Sequence, residues 1–333
     1  MKYNNERINQ ILENFPAVNN AEEQLKRLTK CIITNSLEEK ERLDYELKLI
    51  RKYKVSRLIL FYYDLTKSIK SGEYRVDGAA NCSYLLFRLG ITKVNPLLYN
   101  IPFERLVSNE TSAIACFHVC VKEGGISDVF NFLNEKYGWE RFAVVSTSEK
   151  LKAFVLTKKP FSEYGIKTKT KFIVGEKSNW FEQVADTTLS DIEKRGLFYF
   201  QASTDNKPLA NMVGKVASEE EILQKLKEHF PFSKVNEIEE YQGVPEIERI
   251  LKPTQNKLVY QEQFYTICSH LGIKGLKADE WRKTICKRKQ VDCEKIKKFF
   301  YNKLGKDVGK VLFDYVYRYL PYTILKAHVL SLM

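Results

Sequence analysis

The stretch Ser112-Ala-Ile-Ala-Cys-Phe-His-Val-Cys-Val121 constrains this chain more than any other. It reads as a buried strand. Ile114, Phe117, Val119 and Val121 supply apolar or β-branched bulk, and alternation gathers Cys116, His118 and Cys120 on the other face. Thiol and imidazole suit soft metals, and Cys82 is a candidate fourth ligand. Same-face Cα atoms stand ~6.5–7 Å apart, however, so three ligands on one flat strand would be strained. The competing reading is half-apolar side chains that fill space. No metal and no cofactor are therefore assigned.

Around that strand the pattern predicts an α+β chain. Ile8, Ile11, Leu12 and Phe15 share a helical stripe that ends before Pro16. Asn20 is expected to cap a helix over 21–33, and Ser36 with Glu39 forms a capping-box pattern for a helix over 36–53. The continuous apolar run Leu58-Ile-Leu-Phe-Tyr-Tyr63 predicts a central strand, followed by a short helix to Ser71. A helix from Tyr84 stops at Gly90, another spans 127–137, and Phe142–Val145 predicts a strand. Residues 147–195 show no firm periodicity. Gly196–Phe200 predicts a strand and Ser218 opens a helix. Helices over 260–271, 278–288, 293–304 and 307–319 follow.

Charge narrows the partners. The 333 residues carry 54 Lys+Arg against 42 Asp+Glu, a net of +12, and 17 of the basic residues against 7 acidic ones fall in 251–333. Such asymmetry favours a polyanion, most simply DNA, unless it reflects only a lysine-rich codon usage. No apolar run approaches the ~20 residues of a membrane span, and no signal-peptide core follows the N-terminus. Seven cysteines without regular spacing fit reduced thiols. A cytoplasmic protein with no membrane partner is expected.

Several segments, in order, resemble the catalytic core of the C-family bacterial DNA polymerases, the DNA polymerase III alpha subunits. Glu41-Arg-Leu-Asp-Tyr-Glu-Leu47 with Leu58-Ile-Leu-Phe61 is similar to the entry into the palm. Ser83–Thr92, Asn95-Pro96-Leu97 and Phe103-Glu-Arg-Leu106 match the stretch after the family's Gly-Ser motif. Glu135-Lys-Tyr-Gly138 resembles the run after its catalytic strand. Pro245–Pro253 and Val259–Gln263 resemble the approach to the fingers. Ala278-Asp279, Arg282-Lys283 and Lys287-Arg-Lys289 resemble a basic fingers helix, and Pro321-Tyr322 with Lys326 and His328 a later fingers motif.

The resemblance implies a nucleotidyltransferase-like palm with a reduced thumb and mostly helical fingers. The corresponding divisions are an N-terminal helical segment over 1–35, palm over 36–146, thumb-like insertion over 147–195, palm strand return over 196–210 and fingers over 211–333. The family's N-terminal phosphoesterase-like domain and its C-terminal tail are expected to be missing. Two-metal phosphoryl transfer needs hard oxygen ligands around a pair of Mg²⁺ ions. The resemblance places those carboxylates at Cys116, His118 and Cys120, with the later aspartate near Gln201; none of the four is an acid. In the nucleotide loop Gly78 and Ser83 survive, Ala79 takes a serine position, and Asp77 stands where a basic residue belongs.

These departures predict a catalytically inactive relative that binds DNA, a replication partner, or both, in a bacterium or mobile element. The phosphate contacts are expected from Arg282, Lys283, Lys287, Arg288, Lys289, Lys326 and His328, with Arg282 and Lys289 on one helical face. The alternatives are a protein-interaction module that docks on the replisome or completes a split polymerase, and an active DNA-directed enzyme with relocated ligands such as Asp64 and Asp77.

Overall fold

Short alternating segments build seven strands that join into one mixed sheet. The computed structural model describes residues 11–70, 73–106, 117–139, 141–148, 151–171, 182–203, 209 and 216–333. Strands β1 (Tyr74–Asp77), β2 (His118–Lys122), β3 (Arg141–Ser148), β4 (Leu151–Thr157), β5 (Thr168–Lys171), β6 (Glu182–Ala185) and β7 (Tyr199–Ser203) lie in the order β1-β2-β7-β4-β3-β6-β5. β2 pairs parallel with β7 and β3 with β6; the other neighbours are antiparallel.

The helices are α1 (Ala21–Lys30), α2 (Leu37–Lys52), α3 (Ser56–Ser68), α4 (Tyr84–Arg88), α5 (Ile126–Tyr137), α6 (Leu189–Lys194), α7 (Glu219–His229) and α8 (Pro245–Leu251). They continue with α9 (Gln261–His270), α10 (Leu276–Cys286), α11 (Gln290–Leu304), α12 (Lys306–Tyr319) and α13 (Lys326–Ser331). Among the described residues, no helix is long and apolar enough to cross a membrane.

The pleat divides the sheet's side chains between two cores. Val76, Val119, Val121, Phe154, Phe200 and Ala202 join the main core with α2, α3, α5 and α13. On the other face Ala143, Val145, Ala153, Val155 and Tyr199 pack against Phe161 and Ile192 in a smaller cluster. That cluster leaves the reverse side of β1 and β2 to polar residues. A third core, from Tyr241 to Leu320, is built mainly from helices α8 to α12. The chain then returns: Ala327, Val329 and Leu330 of α13 rejoin the main core, which brings the chain's end onto the sheet.

The mixed α+β character agrees with expectation, as do α2, α5, α7 and α9 to α12, within a few residues. Leu58–Tyr63 corrects it, since this run lies inside helix α3. A continuous apolar run has no period to separate a buried helix from a buried strand. Leu58, Ile59, Leu60, Phe61, Tyr62 and Leu65 are all buried, which leaves α3 only a narrow polar stripe at Asp64 and Lys67. The expected alternation of strand and helix therefore starts not at residue 58 but at β1, and runs β1-α4-β2-α5-β3. Asn20 is a second correction. It sits in the left-handed region at φ 51°, makes no side-chain cap, and offers α1 only its carbonyl, to Gln24 N. Residues 147–195, unreadable in sequence, extend the sheet through β4, β5 and β6; β5 and β6, at four residues each, are too short to show a period. The first ten residues and the start of the Ser112–Val121 strand lie outside the described residues.

Candidate functional site

The polar side of β1, β2 and β7 is where the carboxylates of a two-metal centre would stand. The register sets Asp77 opposite His118 and Arg75 opposite Cys120, and Cys120 lies beside Gln201 on β7. The structure thus brings together three of the four positions assigned from sequence. The fourth, Cys116, lies outside the described residues.

Each group on this face has a local partner. Arg75 grips Asp77 through two bonds, Nε to Oδ1 at 2.5 Å and Nη2 to Oδ2 at 3.1 Å. Residues i and i+2 of a strand share a face, so this charged pair follows from the strand itself. His118 Nε2 lies 3.0 Å from Glu193 Oε1, and the Tyr199 hydroxyl donates to the same oxygen at 2.8 Å. The bond from His118 holds the Glu193 carboxyl below its usual range. Burial pushes the Cys120 thiol up to about 11, against the pull of Arg75. It is therefore a neutral thiol near neutral pH, not the thiolate a soft metal would take.

This donor set does not fit a Mg²⁺ pair. Asp77 and Glu193 are its carboxylates, the first held by a guanidinium and the second by an imidazole and a phenol. Imidazole and thiol are poor ligands for a hard cation, and the neutral Gln201 amide brings no charge to offset a metal pair. Among the described residues, no group of three or more His, Cys, Asp or Glu side chains could hold a metal ion. Asp64 adds nothing here, because it projects from α3 on the opposite layer and pairs with Lys136 of α5.

The positions that the resemblance gives to a nucleotide loop, Gly78, Ala79 and Ser83, are engaged by the fold's own contacts. Gly78 ends β1 at φ 76°, a turn conformation that favours glycine. Its N–H donates to His328 Nδ1 at 3.1 Å, so α13 covers the loop with a histidine. Burial lowers the His328 pKa, which keeps Nδ1 free to accept. Ser83 caps α4 by accepting from Leu86 N at 3.1 Å and donates to the buried Glu46 at 2.6 Å. Ala79 is half-buried against the main core.

The basic residues of the fingers region divide into two groups. Arg282 is buried and bonded to Asp279 Oδ1 at 3.0 Å, and Lys283 Nζ reaches Asp279 Oδ2 at 2.8 Å. Lys326 is likewise engaged by Glu219 at 2.6 Å, between the rings of Tyr99 and Tyr260. Lys287, Arg288 and Lys289 are exposed in the turn after α10, with the Arg288 guanidinium over Tyr317 at 4.4 Å. The expected common face for Arg282 and Lys289 is a correction: α10 ends at Cys286, and Arg288 at φ 53° breaks the helical path.

Sequence reasoning missed Arg75 and Glu193. Alternation along Tyr74–Asp77 would have revealed Arg75 once β1 was recognised. Nothing local marks Glu193, which the fold brings to His118 from α6.

The mixed sheet and the helical region that follows it in sequence make an α+β chain. The family model for the bacterial DNA polymerase III alpha NTPase domain matches residues 17–231, and that for the alpha subunit finger domain matches 223–307. The chain belongs to the bacterial DNA polymerase III alpha family. It is 32% identical over 133 residues to the DNA polymerase III subunit alpha of Mycoplasma genitalium, covering 38% of this chain and 15% of that protein. It is 27% identical over 150 residues to the error-prone DNA polymerase of Burkholderia mallei, covering 44% and 14%. It is 28% identical over 116 residues to the Aquifex aeolicus subunit alpha, covering 34% and 10%. The matches thus span at most 15% of the length of these relatives.

Proposed function

We propose that this chain is a non-catalytic relative of the replicative polymerase subunit, which binds DNA or a replication partner in the cytoplasm of a bacterium or in the service of a mobile element. The carrying observation is the Arg75–Asp77 pair beside His118 and Cys120, on the face where the resemblance puts the metal-binding acids. A guanidinium already neutralises the nearest carboxylate, and the flanking positions offer no hard oxygen ligand. His328 on the Gly78 N–H further supports the reading, since a triphosphate would compete for that donor. The polyanion contacts are assigned to Lys287, Arg288 and Lys289, with Arg282, Lys283 and Lys326 supporting the surface from within.

Purified chain with a primed template and either Mg²⁺ or Mn²⁺ tests the reading. Extension is expected to stay at background, while binding to the same DNA weakens as salt rises. Extension that Asp64→Ala or Asp77→Ala abolishes would instead establish relocated ligands. A second reading, docking on a replisome protein, draws support from the exposed Ile33 and Leu37 at the α1–α2 corner and from a fully exposed Phe232. Co-purification of a replication protein that survives nuclease treatment would favour it over direct DNA binding.

A further inference from the structure

We infer that a recess beside the start of α3, distinct from the polymerase-like face, binds a phosphate group. It is a cavity of about 310 Å³ at the far ends of β3 and β4, lined by Phe15, Arg57, Trp139, Lys158, Lys159 and Tyr164 among others. Its volume falls at the lower end of small-molecule pockets, enough for a phosphomonoester and too small for a duplex.

Arg57 is the centre of the argument. It occupies the first turn of α3, where its Nη2 makes one long bond of 3.4 Å to the Phe15 carbonyl. Its Nε is buried and has no hydrogen-bond partner, and among the described residues no carboxylate lies within ion-pair distance of the guanidinium. Burial lowers its pKa, with no neighbouring charge to compensate. This contrasts with Arg42, Arg75 and Arg282, each of which has a carboxylate. A half-buried guanidinium with an orphaned donor is a fork waiting for an acceptor.

The rest of the recess has the same polarity. Lys158 and Lys159 leave the end of β4 with their backbone fixed: Arg141 donates to the Lys158 carbonyl at 2.9 Å and Thr157 Oγ1 to the Lys159 carbonyl at 2.7 Å. Trp139, almost fully buried, belongs to the main core at the cavity wall. Among the described residues, three cations face one lining acid, the exposed Glu13; Glu163 makes only a loose, exposed pair with Lys159 at 3.8 Å. An excess of two positive charges suits a dianionic phosphate better than a carboxylate, and Arg supplies the bidentate geometry that phosphate favours. The phosphate could belong to a free phosphorylated metabolite or to a nucleic-acid strand end.

Calorimetry on the full chain at fixed ionic strength tests this, with inorganic phosphate, a nucleoside monophosphate, a short 5′-phosphorylated single strand and acetate as probes. Saturable phosphate binding is expected, with acetate much weaker. Arg57→Gln should weaken it by about tenfold or more, the scale of one charged bidentate contact. The doubly substituted Lys158→Gln/Lys159→Gln chain, altered only at exposed side chains, should weaken it without touching the fold. Tighter binding of the monophosphate than of the strand assigns a metabolite, and the reverse assigns a strand end. No saturable phosphate binding, equal binding of acetate, or binding unchanged in both variants overturns the inference.

Discussion

At the scale of single residues, the polar groups around β1 and β2 satisfy one another. His328 is the clearest case, since its ring accepts the Gly78 N–H only while neutral. Burial lowers its pKa below the ordinary 6.5; among its charged neighbours Asp77 opposes that shift, while His118, Arg75 and His229 reinforce it. The unfolded chain therefore binds more protons than the folded one between the folded value and 6.5. Stability should be full above pH 6.5 and fall as pH drops through that window. Denaturant unfolding at several pH values should show a shallower decline for His328→Gln, with His229, shifted in the same direction, keeping part of it. An unchanged slope would mean that His328 is not held neutral. Asp279 gives the opposite sign. Burial resists its charge, yet Arg282 and then Lys283 hold its carboxyl down at about 2, so its contribution is present above 3.8 and lost as pH falls toward 2. Asp279→Asn leaves Arg282 buried without its counter-charge and should cost about 3–5 kcal/mol in urea unfolding at neutral pH.

At the scale of elements, what could be read in the sequence depended on how local the determinant is. Ser218 and Glu221 cap α7 reciprocally, and Ser36 accepts from Glu39 N at the start of α2, because those bonds span three residues. The β2 alternation was equally visible. The identity of α3 was not, since the burial of most of its surface comes from elements distant in the chain. β1 was hidden for the converse reason: its charged residues face a site that only the assembled sheet creates. The meeting of His118 with Glu193 has the same origin. Close helix contacts are also invisible in the sequence, and α11 against α12 offers a test. A Cβ added at Gly309 would stand 2.5 Å from the Phe300 carbonyl oxygen, a backbone atom that cannot rotate away. Gly309→Ala should therefore destabilise the chain by about 1–3 kcal/mol, the usual cost of overpacking. A thermal midpoint equal to that of the unaltered chain would show that the two helices separate freely.

At the scale of the whole molecule, the net charge of +12 becomes a binding surface only where cations lack internal partners. Arg42, Arg75, Arg282, Lys283 and Lys326 all sit within ion-pair distance of carboxylates, so they contribute little field at the surface. Lys287, Arg288 and Lys289 differ: all three are exposed in one turn, and the Tyr317 ring under Arg288 holds that turn without neutralising it. If this turn touches DNA, each lost phosphate contact should reduce the slope of log K against log salt by about 0.7 on single strands and 0.9 on duplex. The chain with Lys287→Gln, Arg288→Gln and Lys289→Gln should thus bind more weakly, with a slope shallower by about 2–3, and should lose no more stability than the about 0.5–1 kcal/mol of the exposed Arg288–Tyr317 contact. Replacing the buried Arg282 by Gln should do the reverse, lowering stability while leaving the salt slope of the folded protein nearly intact. If the triple change leaves the slope as it was, the DNA contact lies elsewhere on the molecule and the fingers turn is only a solvated basic loop.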